Sequence, residues 1–192
     1  MMAPTTTEAS QGSPELSVRR FTTKFVPDED RIQVLIELSS GEVKVAWLTR
    51  RLLNRLAKAL LERLESSQAI VSVDAPRAAV AAQRFSQADA VSRIKPQTAV
   101  TLSTEVEDAH TQALVTRVDV HTRTKGILLV MYSDEGLVQA LPLTEQDLRQ
   151  WLGVIHDQYK AGGWQERFWP SWMRQTDQAS GVSLRANRVR LS

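Results

Sequence analysis

The sequence predicts an α+β protein made of two βββα units in a pseudo-twofold arrangement, with antiparallel sheets and the helices packed on one side. Three observations predict it. The chain matches itself at a fixed offset, apolar residues alternate with a period of two in the first part of each match, and they recur at spacings of three and four in the second part.

Residues 30–65 and 125–160 align without a gap at an offset of 95. A fixed internal period of this kind is the mark of one supersecondary module used twice. Six positions are identical: Ile32 and Ile127, Gly41 and Gly136, Val43 and Val138, Leu48 and Leu143, Thr49 and Thr144, Leu53 and Leu148. The apolar pattern extends further, with Leu56, Ala57, Leu60 and Leu64 falling on Trp151, Leu152, Ile155 and Tyr159.

The elements follow in order. Residues 1–14 are rich in Thr, Ser, Gly, Pro and Ala, with neither the basic start nor the apolar stretch of a signal peptide, and are expected to form a disordered arm. The first unit occupies 15–67. A strand is expected at about 16–26, followed by the loop Pro27-Asp28-Glu29-Asp30. Ile32, Val34, Ile36 and Leu38 then alternate with Gln33, Glu37 and Ser39, the period of a half-buried strand whose polar face meets solvent. Ser39-Ser40-Gly41 reads as a tight turn, and Val43, Val45 and Trp47 as the return strand. Thr49 sits where a helix N-cap belongs, and the leucines after it form a one-sided stripe.

Residues 68–110 form a linker. Ile70-Val71-Ser72-Val73 suits a short edge strand, and a proline-started helix is expected from Asp74 to about Ile94, either a crossover or a mobile arm. The second unit occupies 111–161, with a strand at about 113–123, the loop Thr122-Arg123-Thr124-Lys125-Gly126 and a strand from Ile127 onward. Here Leu128, Val130 and Tyr132 oppose Ile127, Leu129 and Met131, so both faces are apolar, which suits a central strand or an interface. Thr144 and Asp147 have the spacing of a capping box. Each helix is expected to hide its apolar stripe against its own strands. Gly162-Gly163 ends the last helix, and residues 162–192 form a tail that is first aromatic, then basic.

Composition bounds the function. Hydrophobic residues make up 42% and charged residues 24%, ordinary for a folded domain, so no class is excluded on that ground. There is no cysteine, which removes disulfides, thiolate chemistry and cysteine zinc sites, and a cytoplasmic location is expected. No apolar run approaches the ~20 residues that cross a bilayer, so no membrane partner is expected. The formal charge of +2 is too mild to argue for nucleic acid by itself.

Catalytic signatures are missing. There is no GxSxG elbow, no phosphate-cradling glycine loop and no HExxH, so no catalytic, cofactor or metal residue is assigned and no cofactor is expected. The three histidines are His110, His121 and His156. Asp119 and His121 share a strand face with Arg117 and Arg123, and a solvated, charge-alternating face accounts for them. The acidic pairs Asp28-Glu29-Asp30 and Asp134-Glu135 fall in turns, which favour such residues for backbone reasons.

Two features point to partners. Trp164, Phe168, Trp169, Trp172 and Met173 concentrate large apolar side chains in the tail, where they either fold back on their own chain or dock on a protein partner. The expected function is a non-enzymatic interaction or assembly protein, self-association included. The alternative is a nucleic-acid-associated protein in which Arg51, Arg55 and Lys58 on the first helix, with Arg185, Arg188 and Arg190 of the tail, contact phosphates. An enzyme with a site at the junction of the units ranks below both.

Overall fold

The computed structural model describes residues 17–69, 76–94, 100, 112–174 and 188–190. Its strands are β1 (Val18–Val26), β2 (Arg31–Leu38), β3 (Val43–Thr49), β4 (Gln112–Leu114), β5 (Arg117–Arg123), β6 (Gly126–Ser133), β7 (Gly136–Leu143) and β8 (Arg188–Arg190). The helices are α1 (Arg50–Ala69), α2 (Pro76–Ser92), α3 (Glu145–Ala161) and the single turn α4 (Ser171–Arg174). The content is mixed α+β, in two sheets. The first has the order β4-β3-β2-β1-β8, the second β5-β6-β7. All pairings are antiparallel except β3 with β4.

Local chemistry explains the boundaries. The β2–β3 and β6–β7 turns contain Gly41 (φ 91°) and Gly136 (φ 125°), backbone angles that a Cβ disfavours. At α3, Thr144 Oγ1 accepts from Asp147 N at 3.1 Å while Asp147 Oδ2 accepts from Thr144 N at 3.1 Å, a complete capping box. At α1, Thr49 Oγ1 accepts from Leu52 N at 3.2 Å, but Leu52 has no side-chain acceptor to return the bond.

One main core joins both sheets and the two long helices. Ile32, Val34, Ile36 and Leu38 of β2 belong to one buried cluster with Ile127, Leu129 and Met131 of β6 and with the apolar stripes of α1 and α3. The expectation that each helix covers its own strands needs correcting. On α3, Trp151 packs edge-on against Phe21 of β1, its Nε1 donates to Thr23 Oγ1 at 3.1 Å, and Gln158 Oε1 accepts from Phe25 N at 2.7 Å. In the other direction, Arg63 of α1 donates to Thr122 Oγ1 of β5 at 2.8 Å. Long side chains on both helices reach the other segment's sheet, so burial is shared.

The strand expected at 113–123 is two strands. Residues 112–114 run parallel to β3 in the first sheet, and 117–123 pair with β6 in the second. Between them Val115 N donates to Trp47 O at 2.9 Å and Thr116 N donates to Tyr132 O at 2.8 Å, so the chain changes sheets within two residues while keeping its backbone groups paired.

The polar face of β2 also departs from expectation, because Gln33 and Glu37 are buried. Glu37 is paired by Arg19 and Arg20, and Leu35 beside it packs with Val45 and Val100. Val100 N donates to Thr22 Oγ1 of β1 at 3.3 Å, which fixes that residue over the sheet. A sheet face that is polar in sequence is therefore covered.

Helix α2 settles against α1 and α3 through polar contacts. Gln83 Nε2 donates to Leu64 O at 2.7 Å, Gln87 Nε2 to Arg149 O at 2.9 Å, and Gln150 Nε2 to Ala90 O at 2.9 Å. Its outer face leaves Val80 and Phe85 in solvent. The helix thus packs on the body as a crossover does, and the strand expected at 70–73 lies outside the described residues.

Candidate functional site

Of the five aromatic-tail residues, four have almost no surface to offer a partner. Trp164, Trp169, Trp172 and Met173 are buried in the chain's own core, and Phe168 packs against it. The reason is local. After Gly163 (φ 66°) reverses the chain, Trp164 N donates to Tyr159 O at 2.8 Å and its indole donates to Asp30 Oδ1 at 2.9 Å. Trp172 Nε1 reaches Glu65 Oε1 of α1 at 3.0 Å. Tyr159 stands at the centre of a ring cluster, edge-on to Trp164, Phe168 and Trp169. The first of the two alternatives read from the sequence is the one the fold adopts: the segment folds back.

Over these rings lies an open groove of about 620 Å³, with His156, Tyr159, Trp164, Glu166 and Trp169 among its lining. Its polar groups act on one another. Tyr159 Oη donates to Asn54 Oδ1 at 2.8 Å, Asn54 Nδ2 donates to Glu166 Oε1 at 2.9 Å, and Arg50 Nη2 lies 2.8 Å from the same oxygen. The Asn54 amide, then the Arg50 guanidinium, hold the Glu166 carboxyl below its ordinary range. Burial, with Glu166 nearby, pushes the Tyr159 phenol up. Near neutral pH the carboxylate is charged and the phenol protonated, so neither is poised to exchange a proton. The network clasps α1 to the segment after α3. No spacing in the sequence announces it, since its members come from positions 50, 54, 159 and 166.

The basic group divides. Arg51, Arg55 and Lys58 are exposed along α1, and Lys58 lies over the Phe168 ring at 5.4 Å. Arg188 and Arg190 belong to β8, whose backbone pairs with β1, so this part of the expected tail is a strand. Arg185 lies outside the described residues.

The charged strand is β5. Arg117 Nε lies 3.4 Å from Asp119 Oδ1, and its guanidinium stacks on Tyr132 at 4.2 Å. His121 and Arg123 are exposed; an open depression lies beside them, and a second open hollow lies between Arg123 and Asp147. His110 is outside the described residues. Among the described residues, no group of three or more His, Asp or Glu is placed to hold a metal, and no helix is long and apolar enough to cross a membrane.

What remains is the outer face of the second sheet. Register places Leu128 between His121 and Pro142, Val130 between Asp119 and Ala140, and Tyr132 next to Arg117 and Leu137. Leu128 and Tyr132 are half-exposed, Pro142 is exposed, and Leu137 is 54% exposed. Val130, at the centre of this face, is buried, so the exposure lies around it, whereas Gln33, Leu35 and Glu37 on the outer face of β2 are all buried. An apolar row flanked by Arg117, Asp119 and His121 is the composition of an interface centre with a polar rim. No known family model matches the chain, and no curated protein or solved structure was found to be similar to it.

Proposed function

We propose that the chain is a non-enzymatic interaction or assembly protein, built on a duplicated βββα scaffold, that presents the outer face of its second sheet to another protein. The carrying observation is an inversion of polarity and cover. Gln33 and Leu128 stand 95 residues apart at matching strand positions, yet the glutamine is buried and the leucine is half-exposed. A duplicated scaffold is supported by the starts of β2 and β6, of α1 and α3, and by the turn glycines Gly41 and Gly136, all 95 residues apart. Apolar side chains left uncovered are best accounted for by a partner that covers them.

A photo-crosslinking residue placed at Leu128 or Leu137 tests the reading in cells. Protein adducts are expected at both, and few at Ala82 on the outer face of α2. Equal, background-level adducts at all three positions would refute it.

One observation favours a second reading. Arg51, Arg55 and Lys58 line the exposed face of α1 with no ion pair drawn to them among the described residues. Such a stripe suits phosphate contacts, and binding of this kind weakens steeply with salt. Retention of a DNA or RNA duplex at low salt, lost on replacing the three with Gln, would favour it; no retention removes it.

A further inference from the structure

The second sheet has two edges, and they differ. On β7, Pro142 has no N–H to offer, and Lys44 of the first sheet donates to Val138 O at 3.4 Å. That edge is blocked in part by sequence and in part by the first sheet. The edges of the first sheet are β4 and β8, three residues each, the short kind that natural sheets use as terminators. Strand β5 has neither defence. It is seven residues long, it has no described neighbour beyond β6, and Val120 is 39% exposed although its alternation puts it on the inner face.

The side chains of β5 are complementary to themselves. Turned antiparallel about Val120, the strand Arg117-Val118-Asp119-Val120-His121-Thr122-Arg123 sets Asp119 opposite His121, Val118 opposite Thr122 and Val120 opposite its own copy. The inner face of that pairing is β-branched throughout, the residue type that cross-strand packing favours, and its outer face pairs an acid with a base. Only the end pair, Arg117 with Arg123, matches like charges, and Arg117 is already engaged by Asp119 and by the Tyr132 ring.

We infer that β5 pairs antiparallel with β5 of a second copy, across a twofold axis at Val120. The two three-stranded sheets join into one of six, and the apolar rows around Leu128 and Val130 become one continuous face. This rests on the assembly reading above and names its first partner, a second copy of this chain. A twofold contact is self-complementary by construction, so each favourable pair occurs twice.

The test uses the absence of cysteine from the chain. A residue on the axis faces itself across the strand pair at a separation within reach of a disulfide. Val120→Cys is expected to give a covalent dimer under mild oxidation, with Leu137→Cys as the unreactive control. Wild-type protein is expected to scatter light at twice the 21.5 kDa chain mass. Asp119→Arg and His121→Asp are each expected to shift it to monomer, and mixing the two variants to restore a heterodimer, a rescue that misfolding does not produce. A dimer that persists in both variants, with no Val120→Cys crosslink, overturns the edge pairing and leaves the assembly reading standing. Wild-type monomer at all concentrations overturns self-association, and adducts to other proteins at Leu128 then decide the assembly reading separately.

Discussion

The outer faces of the two sheets carry opposite kinds of surface, and each is treated against its chemistry. In the first sheet the face has Gln33 and Glu37 around Leu35, and it is covered, with Val100 against Leu35 and Val45. In the second sheet the matching positions on β6 hold Leu128 and Tyr132, and these meet solvent in part. Burial on the first face is made tolerable by pairing, since two arginines answer Glu37. On the first face Glu37 is buried with its ion partners, although Gln33 Oε1 is buried without one; on the second, Val130 is buried while Leu128 and Tyr132 beside it stay half-exposed. On the assembly reading proposed above, the first face finishes the fold and the second receives a partner.

The sharpest way to break this comparison is to truncate both faces. Leu35 is 3% exposed, so Leu35→Ala removes packed methyl groups and leaves a cavity, with an expected loss of about 2–4 kcal/mol. Leu128 on the second sheet is only partly buried, and Leu128→Ala is expected to lower stability by about 1 kcal/mol or less. Urea denaturation at a concentration that keeps the chain monomeric reads both. Equal losses would mean that the second face is as closed as the first.

These same residues show where sequence reading works and where it stops. Strand and helix positions in both segments follow from alternation and spacing, because those patterns report which side chains share a side of an element. The capping box at Thr144 and the turn at Gly136 follow from local chemistry in the same way. Cover is a different matter. Whether Leu35 meets water depends in part on Val100, which is 65 positions away and carries no signal of its destination. The sheet change at Val115-Thr116 is equally silent, since a continuous strand and a divided one have the same alternation. The tail tryptophans were legible as anchors, but their targets, Asp30, Glu65 and Tyr159, are spread along the chain. Arg117, Asp119 and His121 share one face of β5, as their alternation implies.

A smaller effect separates the two hairpin-to-helix junctions. Both helices start after a threonine, but only Thr144 has a reciprocal partner in Asp147. Thr144→Ala leaves the Asp147 amide without its acceptor and frees the Asp147 carboxylate from Thr144 Oγ1, which lies 2.7 Å away. Its expected cost is about 1–2 kcal/mol, against roughly 0.5–1 kcal/mol for Thr49→Ala, where one bond is lost. The difference in midpoint between the two variants measures the reciprocity of the box. Identical costs would show that the two junctions are alike despite their sequences.

The smallest expected effect concerns how the end of the second segment is tied to the first. Glu166 accepts from Asn54 and Arg50 at the start of α1, and the folded state holds its carboxyl below the ordinary glutamate range. A carboxyl with a depressed folded-state pKa contributes stability at pH values above its unfolded pKa, and that contribution disappears as pH falls through the folded value. Glu166→Gln keeps a hydrogen-bonding side chain and removes the charge, so it is expected to cost at most about 1 kcal/mol at pH 7, because the pair is partly exposed. On acidification below about pH 4.5 the gap between wild type and variant should close. Urea midpoints measured from pH 7 down to pH 3 follow it. A gap that stays constant over that range would assign the clasp to shape and neutral hydrogen bonds, and would leave the ring cluster around Tyr159 as the tie between the tail and the first sheet.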